Sequence, residues 1–141
     1  MRILHVMRKA LVCLLVCLLL GSASILEAQE IRGLYINGSN DILGDQDQEF
    51  QLLEYLIQGN FNSVTFYSFQ NLDFRQAETR ETLRNFIRLA RSKYGVSRFG
   101  AASESLTGFT DNIHLYNTDS LTLPEDRLDH YNLEFEFWSE R

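Results

Sequence analysis

Hydrophobic and polar positions along this chain follow two periods, which take turns. Ile31 to Ile36 (Ile-Arg-Gly-Leu-Tyr-Ile) reads as a strand and runs into Asn37-Gly38-Ser39-Asn40-Asp41, a cluster of turn residues. After a polar loop, a helical pattern begins near Asp47. Phe50, Leu53 and Ile57 form one stripe, Leu52 and Leu56 lie beside it, and Gly59 is placed as a helix stop. Asn62 to Phe69, rich in β-branched and aromatic residues, is the second strand. Leu83, Phe86, Ile87, Ala90 and Tyr94 then fall at i, i+3, i+4, i+7 and i+11, the stripe of an amphipathic helix, and Gly95 closes it. The opposite face carries Arg80, Arg84, Arg88 and Arg91, which reads as a solvated outer face in preference to a docking surface. Val96 to Ala102 makes a third strand. Phe109, Ile113 and Tyr116 predict a short third helix, Pro124 and Glu125-Asp126 a turn, and about Tyr131 to Phe137 a final strand.

Four strands therefore begin near positions 31, 63, 97 and 130, and a helical pattern follows each of the first three. A spacing of about 33 residues matches a βαβ unit, and a (β/α)₈ barrel of about 250 residues has about 31 per repeat. The expected class is α/β: parallel βα repeats forming four strands of an incomplete (β/α)₈, TIM-type barrel. A flavodoxin-like open sheet is the rival, but the chain has no GxGxxG or GxxxxGK[ST] phosphate loop.

The amino end changes the picture of where this domain works. Arg2, Arg8 and Lys9 precede an apolar run from Ala10 to Leu20 and then Gly21, Ser22, Ala23 and Ser24, the order of a secretory signal peptide. The run is short for a membrane span, which takes about 20 apolar residues, so an uncleaved anchor is the lesser alternative. The reading is a signal peptide over 1–28 and one domain over 29–141, secreted, periplasmic or at the cell surface, with no stable membrane insertion after cleavage. Cys13 and Cys17 both lie in the leader, so no disulfide framework or thiol chemistry is expected beyond it. Cleavage after Ala28 takes the net charge from −6 to about −8, which argues against nucleic acid or anionic lipid as partner. His114 and His130 are the histidines beyond the leader, far apart and without cysteine neighbours. No metal site and no cofactor are expected.

The final strand holds the best chemical clue. It reads Leu128-Asp129-His130-Tyr131-Asn132-Leu133-Glu134-Phe135-Glu136-Phe137-Trp138. Alternation puts Asn132, Glu134 and Glu136 on one side and Tyr131, Leu133, Phe135 and Phe137 on the other. Two neighbouring carboxylates aimed at one place resist burial without partners.

This run resembles the fourth-strand signature of glycoside hydrolase family 18, the chitinase and endo-β-N-acetylglucosaminidase group, roughly F-D-G-x-D-x-D-x-E-Y-P. The resemblance puts Glu136 in the place of the catalytic acid and Glu134 in that of the residue orienting the substrate acetamide. Asn132 takes the place of the first supporting Asp and Asp129 that of the leading Asp. Gly100-Ala101-Ala102 is similar to the family's glycine-rich third strand. In such enzymes the acid protonates the glycosidic oxygen while the substrate's own acetamide carbonyl attacks the anomeric carbon. A second carboxylate on the same face raises the acid's proton affinity, as that chemistry requires. This chain departs from the pattern with Asn132 and Glu134 for Asp, His130 for Gly, and Phe137-Trp138 for Tyr-Pro.

The resemblance implies a glycan partner and the amino-terminal half of a barrel, in which Trp138, Glu104 and Tyr35 are further candidates for lining a sugar cleft. The plainer readings are a solvent face for Glu134 and Glu136, a core or interface place for Trp138, a loop acid for Glu104, and turn formation for Tyr35, Asn37 and Asp41. Half a barrel leaves two parallel edges open, so little or no hydrolysis is expected of it alone. Self-association or a second half would complete it. The rival to a glycosidase-like protein is a non-catalytic module that binds a glycan or protein.

Overall fold

Strand positions and strand order decide the architecture. The computed structural model describes residues 30–67, 69–103 and 108–133. Four parallel strands, β1 (Gly33–Ile36), β2 (Ser63–Phe66), β3 (Arg98–Ser103) and β4 (His130–Leu133), form one sheet in the order β1-β2-β3-β4. All three neighbouring pairs are parallel. Sequential order means that the sheet never reverses its winding, unlike a flavodoxin-like sheet, whose order changes direction at a switch point. Successive right-handed crossovers in such a sheet place their helices on one face.

The register sorts side chains into rows. Tyr35, Thr65, Gly100 and His130 are aligned across all four strands, with Ala102 and Asn132 in the next row on the same face. The intervening rows hold Leu34, Val64 and Phe99, then Ile36, Phe66, Ala101 and Tyr131. One face is therefore apolar, the other polar or small, and the helices cover the apolar one.

Helix α1 (Ser39–Ile42) is a single turn where a plain turn was expected, entered through Gly38 at φ +78°. Helix α2 (Gln46–Gln58) starts at Asp45, whose side chain accepts hydrogen bonds from the amides of Asp47 and Gln48 at 3.0 and 3.1 Å, satisfying two otherwise orphaned donors. Leu53 and Leu56 are fully buried, whereas Phe50 and Ile57 remain 55% and 46% exposed. The buried stripe of α2 is thus rotated from the Phe50-Leu53-Ile57 line that the sequence predicted. Gly59 ends the helix without a left-handed backbone. Asn60 takes the positive φ, and Gly59 makes room for the ring of Phe61.

Helix α3 (Ala77–Tyr94) buries Leu83, Phe86, Ile87 and Ala90, the expected stripe, and Gly95 caps it at φ +70°, where a side chain would be strained. The core continues as a run of ring contacts: Phe86 meets Phe66 and Phe99 edge-on at 5.8 and 6.2 Å, and Phe74 links Phe69 to Tyr116 at 5.1 and 5.7 Å. The third connection contains the expected short helix, as a π-turn (Phe109–His114) continuing into α4 (Leu115–Thr118), and a 3₁₀ turn over Pro124–Asp126.

The arginine row of α3 is the main departure from expectation. It faces the third connection as well as water: Arg80 and Arg84 reach Asp119, half-exposed Arg88 grips the fully buried Asp126 carboxylate through two bonds of 2.9 and 2.6 Å, and Arg91 reaches Asp129 at 2.8 Å. Arg84 is itself buried. Bidentate arginine pairing fixes geometry as well as charge, so this row sets the path by which the chain approaches β4.

Candidate functional site

The polar face of the sheet is built from short side chains flanked by longer ones. Thr65 of β2 and His130 of β4 are separated by β3, yet Thr65 Oγ1 and His130 Nε2 are 3.0 Å apart. The imidazole crosses directly above Gly100, where an added Cβ would fall 2.2 Å from Nε2. Glycine here is a close-approach requirement. One row further along β4, the Asn132 side-chain amide donates to the phenol oxygen of Tyr35 on β1. On a flat sheet β1 and β4 would stand three strand spacings apart, about 14 Å, with side chains upright. Contact between them requires the sheet to curl about its polar face, which is therefore concave.

His130 has only one hydrogen-bonded ring nitrogen; Nδ1 is buried and without a partner. A buried lone N–H costs more than a bare acceptor lone pair, so the favoured tautomer carries its proton on Nε2 and donates it to Thr65. Charging the ring would add an unsatisfied N–H at Nδ1. Burial pushes the His130 pKa below its ordinary value, the positive charge of Arg98 on the same face adds to that, and Asp129 opposes it. The ring is neutral at pH 7.

Asp129 serves as an anchor in this structure. Its carboxylate accepts from the Phe99 amide at 2.7 Å and from Arg91, and its own amide donates to the Phe99 carbonyl at 2.6 Å. Asn117 holds the preceding residue through paired bonds to the Leu128 amide and carbonyl at 2.9 and 3.0 Å. These contacts set where β4 begins and hence which side chains face inward.

Of the residues predicted from sequence, Tyr35 and Asn132 come together at the rim of the concave face. Glu136, Glu134, Trp138 and Glu104, like the signal peptide expected over 1–28, lie outside the described residues. Thr65 and His130 were missed. The signal that could have found them is a glycine inside a strand, Gly100, 30 residues or about one strand-helix repeat before a histidine that stands where the signature has glycine. Beside Asn132, a cleft of about 170 Å³ is lined by Ser103, Phe109, Ile113, Tyr131, Asn132 and Leu133, with the Phe109 and Tyr131 rings 4.1 Å apart. Among the described residues, no cluster of three or more His, Cys, Asp or Glu side chains could hold a metal, and no helix is long and apolar enough to cross a membrane.

No family model matches the chain, and no curated protein or solved structure matches it either.

Proposed function

We propose that this chain is an exported, glycosidase-like protein carrying four strands of a (β/α)₈ barrel, whose concave face binds a glycan containing N-acetylglucosamine. The observation that carries the reading is the convergence of Tyr35 and Asn132 from opposite edges of the sheet. Sequential strand order, one helix-covered face and a curled polar face are what a barrel half requires, and sites in such barrels gather at the carboxyl ends of the strands. A phenol and a carboxamide at the rim of that face suit the hydroxyl edges of a sugar.

In this proposal Glu136 is the general acid and Glu134 its partner, with Asn132, Tyr35, Trp138 and Glu104 as the ligand-binding residues. Hydrolysis by these four strands alone is weak or nil, because eight strands wall the cleft of a complete barrel. Release of product from chitin oligosaccharides and high-mannose glycans tests this. Strong turnover abolished by Glu136→Gln would overturn the inactivity while upholding the acid.

The second reading, a binding module without catalysis, is favoured by one feature. Asn132 stands where the signature has an ionisable Asp, and its amide is engaged by Tyr35. Saturable glycan binding that is indifferent to Glu136→Gln would select it.

A further inference from the structure

We propose that two copies of this chain join edge to edge, β4 of each against β1 of the other, to close one eight-stranded parallel sheet. The inference rests on the barrel reading above and is independent of sugar binding. Among the described residues, β1 and β4 are the two edge strands, and no strand pairs with the outer side of either. An edge strand turns one side of its amides and carbonyls away from its own sheet, and a parallel sheet is otherwise found covered and closed.

Geometry selects the arrangement. Because all strands run in one direction, the β1 edge of one copy accepts the β4 edge of another in the same parallel sense as the internal pairs. The contacts between Tyr35 and Asn132 and between Thr65 and His130 show that the sheet is already curled. A two-fold axis then brings the remaining edges together. Two copies close the ring with eight strands, the number whose interior side chains can fill. Closed symmetry also explains why such a contact would stop at a dimer and not grow into a filament.

Exposed apolar residues on β4, just before β1 and on α2 fall where the seams would lie, whereas the exposed Leu121 and Leu123 are on the third connection. Tyr131 and Leu133 of β4 are 52% and 56% exposed, and Ile31, just before β1, is 56% exposed. Helix α2 packs on α3, so its exposed Phe50 and Ile57 lie on a flank that α3 does not cover. About half of each of these five side chains amounts to on the order of 500 Å² of apolar surface per copy. A standard interface takes about 800 Å² from each partner, somewhat more than half of it apolar, so the exposed patch is of the size a stable dimer needs.

The test is the mass of the full chain in solution by sedimentation equilibrium across the micromolar range, for the wild type, Leu133→Lys and Ile57→Glu. The expected result is twice the 16.4 kDa chain mass for the wild type and a loss of at least tenfold in dimer affinity for both variants, with far-UV circular dichroism unchanged. The leader is identical in all three, so a difference among them reports the seams. Ile57→Glu, at an exposed helix position, keeps the test valid should Leu133→Lys fail to fold. A monomer throughout, a ladder of open-ended species, or a dimer unaffected by both variants would overturn the proposal. Sugar titration of the same samples separates this outcome from failure of the binding reading.

Discussion

Thr65 and His130 meet across a strand that belongs to neither, over the one residue of that row that has no side chain, Gly100. The hydroxyl and the imidazole tie β2 to β4 without passing through β3. That tie holds the curl of the sheet and places the next inward residue, Asn132, at the rim.

Gly100→Ala tests it by stability. The new methyl would overlap the imidazole, and overpacking of this kind costs about 1–3 kcal/mol. In a His130→Ala background the obstruction is gone, so the same substitution should cost less than half as much. Denaturant unfolding of the four proteins measures the coupling; purely additive effects would place the ring elsewhere.

Acid should weaken the fold earlier in wild type than in His130→Gln. The His130 pKa is lowered in the folded state, so between that value and the ordinary 6.5 the unfolded chain holds more protons than the native one. Stability then rises with pH through this window and falls as pH drops below about 6.5. Melting temperature followed from pH 8 to 5 should show a steeper decline for wild type than for His130→Gln. Asp119, held below its usual value chiefly by the Leu121 amide and further by Arg80, acts in the same direction, but only as pH falls below its ordinary 3.8.

The arginine row predicts an ion-pair phenotype. Asp119→Asn leaves Arg84, which is buried, and Arg80 without their carboxylate. Stranding a buried charge is more damaging than never having the pair. The melting temperature should fall by about 5 °C or more. Arg84→Met in the Asp119→Asn background should recover part of that loss, and no recovery would show that Arg84 is not what the carboxylate compensates.

Phe86 joins the sheet to α3 through ring contacts with both Phe66 and Phe99 and is 1% exposed. Phe86→Ala should cost about 3–5 kcal/mol in urea unfolding, the range for emptying a large aromatic site. A cost under half of that would show that the core refills the space.

How far these features could be read from sequence depends on whether they are local. The stripe of α3 repeats over about three turns, and burial follows it from Leu83 to Ala90. Helix α2 offers two overlapping apolar lines, and only packing decides that Leu53 and Leu56 go inward while Phe50 and Ile57 do not. The arginines were read as solvated because a basic row looks the same whether it faces water or an acidic loop more than 30 residues further along. Inward placement of Asn132 follows from strand alternation. Its meeting with Tyr35 depends on curvature, and the bond from His130 to Thr65 depends on a register that no local pattern encodes.

Calorimetric titration of the chain with chitin oligosaccharides is the most direct measure of the concave face as a sugar site. Saturable binding in wild type, weakened at least tenfold by Asn132→Ala and by Tyr35→Phe with melting temperatures unchanged, is the expected result. Absence of binding, or binding indifferent to both substitutions, would contradict it.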